Sequence, residues 1–263
     1  MTILDTIVQQ KKREIEEIPK QMRIEEAFVK RSLYEAIANP NYPVGIIAEV
    51  KKASPSKGVL TKDFNPLNIA ETYEKLSVDG ISVLTDEQFF QGHPRYLTEI
   101  KQKVNVPILR KDFIIDEKQI IQSKALGADA ILLIAAILDG SQLKELYEQA
   151  ESLNLDVLVE VHNEREVDNV LSAIKPKLIG VNNRNLKTFE TSLETSRHLA
   201  AMLPKDILFI SESGVKTKED VDYLRKTTHV NGLLVGEAFM LEKNKGDLLR
   251  GWFEERHNHE YTS

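Results

Sequence analysis

Apolar residues recur along this chain with two different periods. Between Val44 and Val235, short runs rich in Ile, Val and Leu alternate with longer stretches in which apolar positions return every three or four residues. The first pattern predicts buried β-strands and the second amphipathic helices. Eight strand-like runs occur, at residues 45–50, 80–84, 106–109, 130–134, 156–160, 177–181, 206–210 and 232–235. Helical spacing fills the intervals at 69–77, 96–103, 118–126, 142–153, 164–173, 193–202 and 218–226, and a last helix is predicted toward Trp252. Strict alternation of this kind makes a parallel sheet, and eight repeats favour closure into a (β/α)8 TIM barrel. The structural rival is a doubly wound open sheet, whose usual GxGxxG nucleotide fingerprint is missing.

The pattern before Val44 is different. Ile3, Leu4, Ile7, Val8, Ile15 and Ile18 form a partial helical stripe among Lys, Arg and Glu, and a shorter helix is expected from Ser32 to Ala38, before Asn39-Pro40 and Tyr42-Pro43. Residues 1–43 are therefore read as an N-terminal helical extension of a single barrel domain spanning 1–263, with the stripe predicting that Met1 to Pro40 packs near the barrel mouth.

Composition narrows the function. At 263 residues and 41% hydrophobic content the chain can bury one large core. No run approaches the roughly 18 apolar residues needed to cross a bilayer, and the charged N-terminal segment lacks a signal core, so a cytoplasmic protein without a membrane partner is expected. Zero cysteines exclude disulfides, thiol nucleophiles and Cys-ligated metals. The six histidines include no HExxH, and His257 and His259 lie in a polar tail, so no metal site is expected. A net charge of −6 argues against a nucleic-acid-binding surface, although it leaves room for a local anion pocket.

Barrel active sites lie at the carboxyl ends of the strands, and here those ends are polar. The first run continues Glu49-Val50-Lys51, and alternation turns Glu49 and Lys51 toward the barrel interior, where they serve either chemistry or a structural ion pair. Ser54-Pro55-Ser56-Lys57-Gly58 follows as a loop able to cover a ligand, though turn chemistry accounts for it as well. Run three leads into Arg110-Lys111-Asp112-Phe113, placing Lys111 at the mouth unless the cluster is merely solvated. Glu160 interrupts a β-branched run, which a surface position does not explain, whereas His162 reads as the polar start of a loop. Asn182 and Arg184 share a face and suit a carboxylate, phosphate or hydroxyls, with a turn-stabilising Asn cluster as the alternative. Glu212-Ser213-Gly214 and Gly236-Glu237 end runs seven and eight, where glycine lets backbone N–H groups approach an anion.

The segments IAEVKKASPSKG (47–58), LRKDF (109–113), LVEVH (158–162), GVNNRNL (180–186), SESG (211–214) and LVGEAFM (234–240) resemble, in order and spacing, the strand-end signatures of the indole-3-glycerol-phosphate synthase family. The leading ILDTIVQQKKREIEEI is similar to that family's N-terminal extension, so the likeness covers nearly the whole chain. It implies a phosphorylated small-molecule substrate, 1-(2-carboxyphenylamino)-1-deoxyribulose 5-phosphate, closed to an indole with loss of carbon dioxide and water, without metal or organic cofactor. Association with other tryptophan-pathway enzymes stays open.

The same resemblance implies roles. Lys111 takes the general acid's place and Glu160 that of the acid/base in dehydration. Lys51 contacts the anionic substrate, tuned by Glu49. Asn182 holds a sugar hydroxyl, Arg184 steadies the polar network, and Ser213 with Glu212 completes the wall. Ser54 and the backbone of Gly214, Gly236 and Glu237 meet the phosphate, while Pro55, Phe90, Phe113 and Leu186 form a slot for the aromatic ring. The chain departs from the family's pattern at Asp86, where glutamate is common, at Gln91-Gly92-His93, and at Met240-Leu241, which lacks a frequent arginine. Other phosphate-binding barrels, isomerase or lyase, and a catalytically silent barrel scaffold are the competing readings.

Overall fold

Eight short strands, each buried, alternate with helices in the computed structural model, which describes residues 2–19, 22 and 28–254. The strands are β1 (Gly45–Val50), β2 (Gly80–Leu84), β3 (Ile108–Lys111), β4 (Ala130–Ile134), β5 (Asp156–Val161), β6 (Leu178–Asn182), β7 (Leu208–Glu212) and β8 (Gly232–Val235). All pair in parallel with their neighbours, and β1 pairs with both β2 and β8, so the sheet closes into a barrel. Two helices precede the barrel, α1 (Ile3–Glu17) and α2 (Leu33–Ala38). The crossovers are α3 (Pro66–Lys75), α4 (Pro94–Lys101), α5 (Glu117–Ala125), α6 (Gly140–Ser152), α7 (Glu164–Ala173), α8 (Glu194–Ala200) and α9 (Lys218–Thr227). After β8 come α10 (Glu237–Leu241) and α11 (Lys245–Phe253).

Alternation sorts the core into two shells. Ile47, Leu109, Leu132, Leu158, Leu178, Ile210 and Leu234 point inward and fill the barrel, while Ile46, Ala48, Ile131, Val159 and Ile179 pack outward against the helices. Local chemistry starts the helices where the chain turns: Asn65 caps α3 ahead of Pro66, Asp116 makes a capping box on α5, and Asn163 caps α7.

Four strands differ in their bounds from the sequence expectation, β5 only by ending one residue later, at Val161. β3, β6 and β7 begin one or two residues later and end later, because pairing keeps their polar ends in the ladder, Leu84 opposite Lys111 and Asn182 opposite Glu212. The segment after β1 is also more ordered than a loop, since Ala53–Ser54 pairs antiparallel with Gly58–Val59.

The extension divides between the two ends of the barrel. Ile3, Leu4 and Ile7 of α1 line the cavity at the carboxyl ends of the strands, as expected. Lys11, on the same stripe and 2% exposed, reaches Asp86 at 2.7 Å and Asp112 at 3.0 Å and ties α1 to the loops after β2 and β3. α2 does the opposite: Leu33 and Ile37 enter the inner shell beside Ile47 and Leu178 and plug the amino-terminal end, so the expectation that Met1 to Pro40 lies wholly at the mouth is corrected. A six-residue apolar helix with nothing else to bury against must close whichever end is open. Met1 and His257 and His259 lie outside the described residues.

Candidate active site

Strand alternation brings four charged side chains to the barrel axis at the mouth. Lys111 of β3 stands at the centre, with Nζ 3.2 Å from Oε2 of Glu212 (β7), 3.5 Å from Oε2 of Glu160 (β5) and 3.9 Å from Oε2 of Glu49 (β1). Lys51 forms a close ion pair with Glu49. Asn182 of β6 donates from Nδ2 to Oε1 of Glu160 at 3.2 Å and accepts the backbone N–H of Arg184 at 3.1 Å. Every residue expected to carry chemistry therefore lies in or beside one cluster.

Glycine makes the cluster fit. A Cβ on Gly180 in β6 would lie on the Glu212 carboxylate, 3.1 Å from its Cδ, so that acid can sit across the barrel only because Gly180 has no side chain. Gly236 plays the same part for the other pair, since a Cβ there would lie on the Glu49 carboxylate and 2.9 Å from Nζ of Lys51. Its backbone, at φ −112°, is open to any residue, so close approach rather than turn geometry demands glycine. After β7 the chain reverses through Ser213, whose φ of 63° is left-handed, a conformation that costs of order 1–3 kcal/mol at a non-glycine residue.

Burial and mutual charge set the ionisation. Burial pulls Lys111 down, but Glu212, Glu160 and Glu49 together outweigh it and hold the ammonium well above the usual lysine range. Burial pushes Glu49 up, and Lys51 and then Lys111 more than reverse this. Glu160 is likewise pushed up by burial and brought well below the carboxylate range by Lys111, His162 and Asn182. Glu212 goes the other way: burial, reinforced by the neighbouring Glu160 and Glu49 charges against the pull of Lys111, raises it to about 8. The cluster thus holds an acid and a base of the same residue type.

Two adjoining cavities meet over these groups. One, of about 140 Å³, has apolar walls from Ile3, Leu4 and Ile7 of α1 together with Pro55, Phe90, Phe113, Leu186 and Phe189, above a floor that includes Lys111, Glu160 and Ser213. The Phe90 and Phe113 rings pack at 5.9 Å. The other, of about 480 Å³, is polar and is lined by Ser213, Gly214, Gly236 and Glu237, with Lys51, Lys57, Arg184 and Lys216 as cations. Arg184 bonds to Ser56, and its Nη2 lies 3.5 Å from Glu237, which Lys57 approaches to 3.7 Å. Ser54 is buried in the first cavity's wall, its Oγ 3.5 Å from that of Ser56. Among the described residues no cluster of His, Asp and Glu could hold a metal ion.

Three residues escaped the sequence reading. His162 does begin the loop after β5, as expected, but its side chain turns inward and is buried against Glu160 and Glu166. The signal was its two-residue spacing from Glu160 on β5. Lys11 sits between Ile7 and Ile15 at four-residue steps, and a charge on an apolar stripe announces a buried partner. Phe189 gave no signal, since a lone aromatic in a polar loop is ordinary. At Asp86 the shorter carboxylate has a local use: its Oδ1 accepts the N–H groups of Phe89 and Phe90 at 2.7 and 3.1 Å while Oδ2 meets Lys11.

Comparison with known proteins gives the family. Residues 4–251 match the family model of indole-3-glycerol phosphate synthase. Curated indole-3-glycerol phosphate synthases of Halalkalibacterium halodurans and Priestia megaterium are 51% and 47% identical to this chain, covering 90% and 96% of it and 91% and 98% of their own lengths. Crystal structures of KGPDC from Streptococcus mutans (TM-score 0.58, 14% identity, 80% of this chain and 95% of that one) and of 3-hexulose-6-phosphate synthase (TM-score 0.61, 15% identity, 79% and 97%) share the fold alone. With a family model spanning nearly all of its length and relatives at about half identity over the same span, the chain belongs to the indole-3-glycerol phosphate synthase family.

Proposed function

We infer that this chain is a decarboxylating lyase of tryptophan biosynthesis, converting 1-(2-carboxyphenylamino)-1-deoxyribulose 5-phosphate to indole-3-glycerol phosphate, carbon dioxide and water. The observation that carries the reading is the junction of an apolar slot and a cationic cavity over Lys111, which suits a molecule with an aromatic ring at one end and a phosphate at the other. The ring enters between Phe90, Phe113, Pro55 and Leu186. The phosphate lies against the backbone of Gly214, Gly236 and Glu237, with nearby lysines adding attraction that glycine loops alone would lack, while Ser54 stands in the wall of the aromatic slot where the two cavities adjoin.

In this arrangement the aryl carbon bearing the carboxylate bonds to the sugar carbonyl carbon, and the Lys111 ammonium gives its proton to the developing alkoxide. The carbon–carboxylate bond then breaks, and its electron pair restores the ring as carbon dioxide leaves. The hydroxyl then departs as water: the adjacent methylene carbon loses a proton to Glu160, and Glu160 returns a proton to the leaving hydroxyl, while Asn182 orients the sugar. Lys51, ordered by Glu49, faces the substrate's charge, and Arg184, Ser213 and Glu212 complete the wall. Because a carboxylate leaves as neutral carbon dioxide, each turnover takes up one net proton. A small phosphorylated substrate suits a cytoplasmic enzyme, with residues 1–263 serving as one catalytic domain. The test is direct: purified protein mixed with the anilino-sugar phosphate should develop indole fluorescence, and a folded preparation that leaves the substrate unchanged sinks the reading.

A further inference from the structure

The imidazole of His162 lies between two carboxylates. Nδ1 is 3.0 Å from Oε2 of Glu166, and Nε2 is 3.1 Å from Oε1 of Glu160 without an aligned hydrogen bond. Glu166 cannot turn away, because its Oε2 also accepts the His162 backbone N–H at 2.8 Å, its Oε1 accepts from Asn163 at 2.6 Å, and its own N–H is capped by Asn163 at 3.0 Å. A neutral imidazole carries one proton, so whichever nitrogen lacked it would aim a lone pair at an ionised carboxylate. Both contacts are attractive only if both nitrogens carry hydrogen.

We propose that His162 is a positioning residue that sits as a doubly protonated imidazolium between Glu166 and Glu160, keeping Glu160 ionised and its Oε2 aimed at Lys111 and the substrate. The proposal rests on the reading of Glu160 as the acid/base of dehydration. Glu160 faces the Lys111 ammonium of β3, with Glu49 of β1 and Glu212 of β7 on the same ammonium, and Asn182 of β6. The outer cleft that His162 borders carries Asp5 of α1 and Arg184, Lys187 and Glu190 after β6. Lys111 is divided among Glu212, Glu160 and Glu49, and Lys51 is engaged by Glu49, so the imidazolium is the second cation within reach of Glu160, which must stay a base. Burial acts against a charged imidazole, yet the two carboxylates outweigh it and push His162 up to about 10.

His162→Leu removes the charge, and His162→Gln keeps a donor without it. Loss of the imidazolium should move the acid limb of the kcat pH profile upward by about one unit or more, lower kcat near neutral pH by about tenfold, and leave KM within about twofold, with the Gln variant between Leu and wild type. In a Glu160→Gln background, His162→Leu should add nothing further. An unshifted acid limb, or the same loss in both backgrounds, reduces His162 to packing and overturns the proposal. Wild-type turnover in Glu160→Gln alone overturns the reading of Glu160, and the proposal with it. A measurement on the unmodified protein needs no variant to fold: the 15N spectrum should show both His162 ring nitrogens protonated at about pH 7, and a neutral tautomer there refutes the assignment.

Discussion

The two ends of the barrel both bury a lysine, and they treat it in opposite ways. At the amino-terminal end Lys101, 2% exposed, donates at 2.7 Å to each oxygen of Asp129 and at 2.8 Å to the carbonyl of Val29. Asp129 also accepts the backbone N–H groups of Arg31 and Ile108, at 2.7 and 2.9 Å. One cation meets one anion, and each has its hydrogen bonds. At the mouth Lys111 is surrounded by three carboxylates, and the Glu212 oxygens have no aligned hydrogen bond. The consequence is a reversal of sign. Burial, reinforced by the neighbouring Arg31 and Lys30 charges, wins over a single aspartate and draws Lys101 below the usual lysine range, whereas three carboxylates win over burial and hold Lys111 above it. A balanced buried pair holds the fold at one end, and an unbalanced cluster at the other is poised to accept a charged ligand.

The contrast makes its strongest prediction for activity. Lys111→Ala should lower single-turnover indole formation by roughly 10²–10⁴, because no other ammonium stands at that point. Its thermal midpoint should stay near wild type, since the remaining acids can relieve their repulsion by taking up protons. A loss of less than about fivefold would remove Lys111 from the chemistry.

Lys101→Met should do the reverse. It strands Asp129 inside the base and should destabilise the protein by about 3–5 kcal/mol, while the folded fraction keeps wild-type turnover. Denaturant unfolding with active-site titration separates the two quantities, and a variant as stable as wild type would show that the pair at the base is dispensable.

The smallest effect is on stability as a function of pH. His162 and Glu212 are both raised in the folded protein, from 6.5 to about 10 and from 4.5 to about 8. In each window the folded state binds more protons than the unfolded chain, so stability is present at the low-pH side and declines as pH rises through it. Glu49 and Asp112 are depressed, so their contribution is present above the unfolded carboxylate range and is lost as pH falls. The thermal midpoint should therefore be lower at about pH 9.5 than at about pH 7, and His162→Gln should flatten that decline. A midpoint that rises through this interval contradicts the charge states assigned to the mouth.

By itself the sequence determined which residues face the barrel axis. Period-two alternation is a property of the extended chain, so Glu49 with Lys51, Lys111, Glu160 and Asn182 could be assigned to the interior from spacing alone. The eight alternations favoured a closed barrel, because each strand and helix is written locally, but left the open doubly wound sheet as a rival. Tertiary structure decided whatever depended on which surfaces meet. α1 and α2 carry similar apolar stripes, yet one covers the mouth and the other plugs the base, a choice made by the holes left in the barrel. Pairing of β6 with β7 brings mid-strand Gly180 under Glu212, and closure of β8 onto β1 brings Gly236 beside Glu49 and Lys51, turning two ordinary glycines into space for carboxylates. His162 is decided in the same way: its spacing from Glu160 was visible, but the two carboxylates that make it a cation converge only when α7 folds back onto β5, because electrostatics depends on distance in space rather than along the chain.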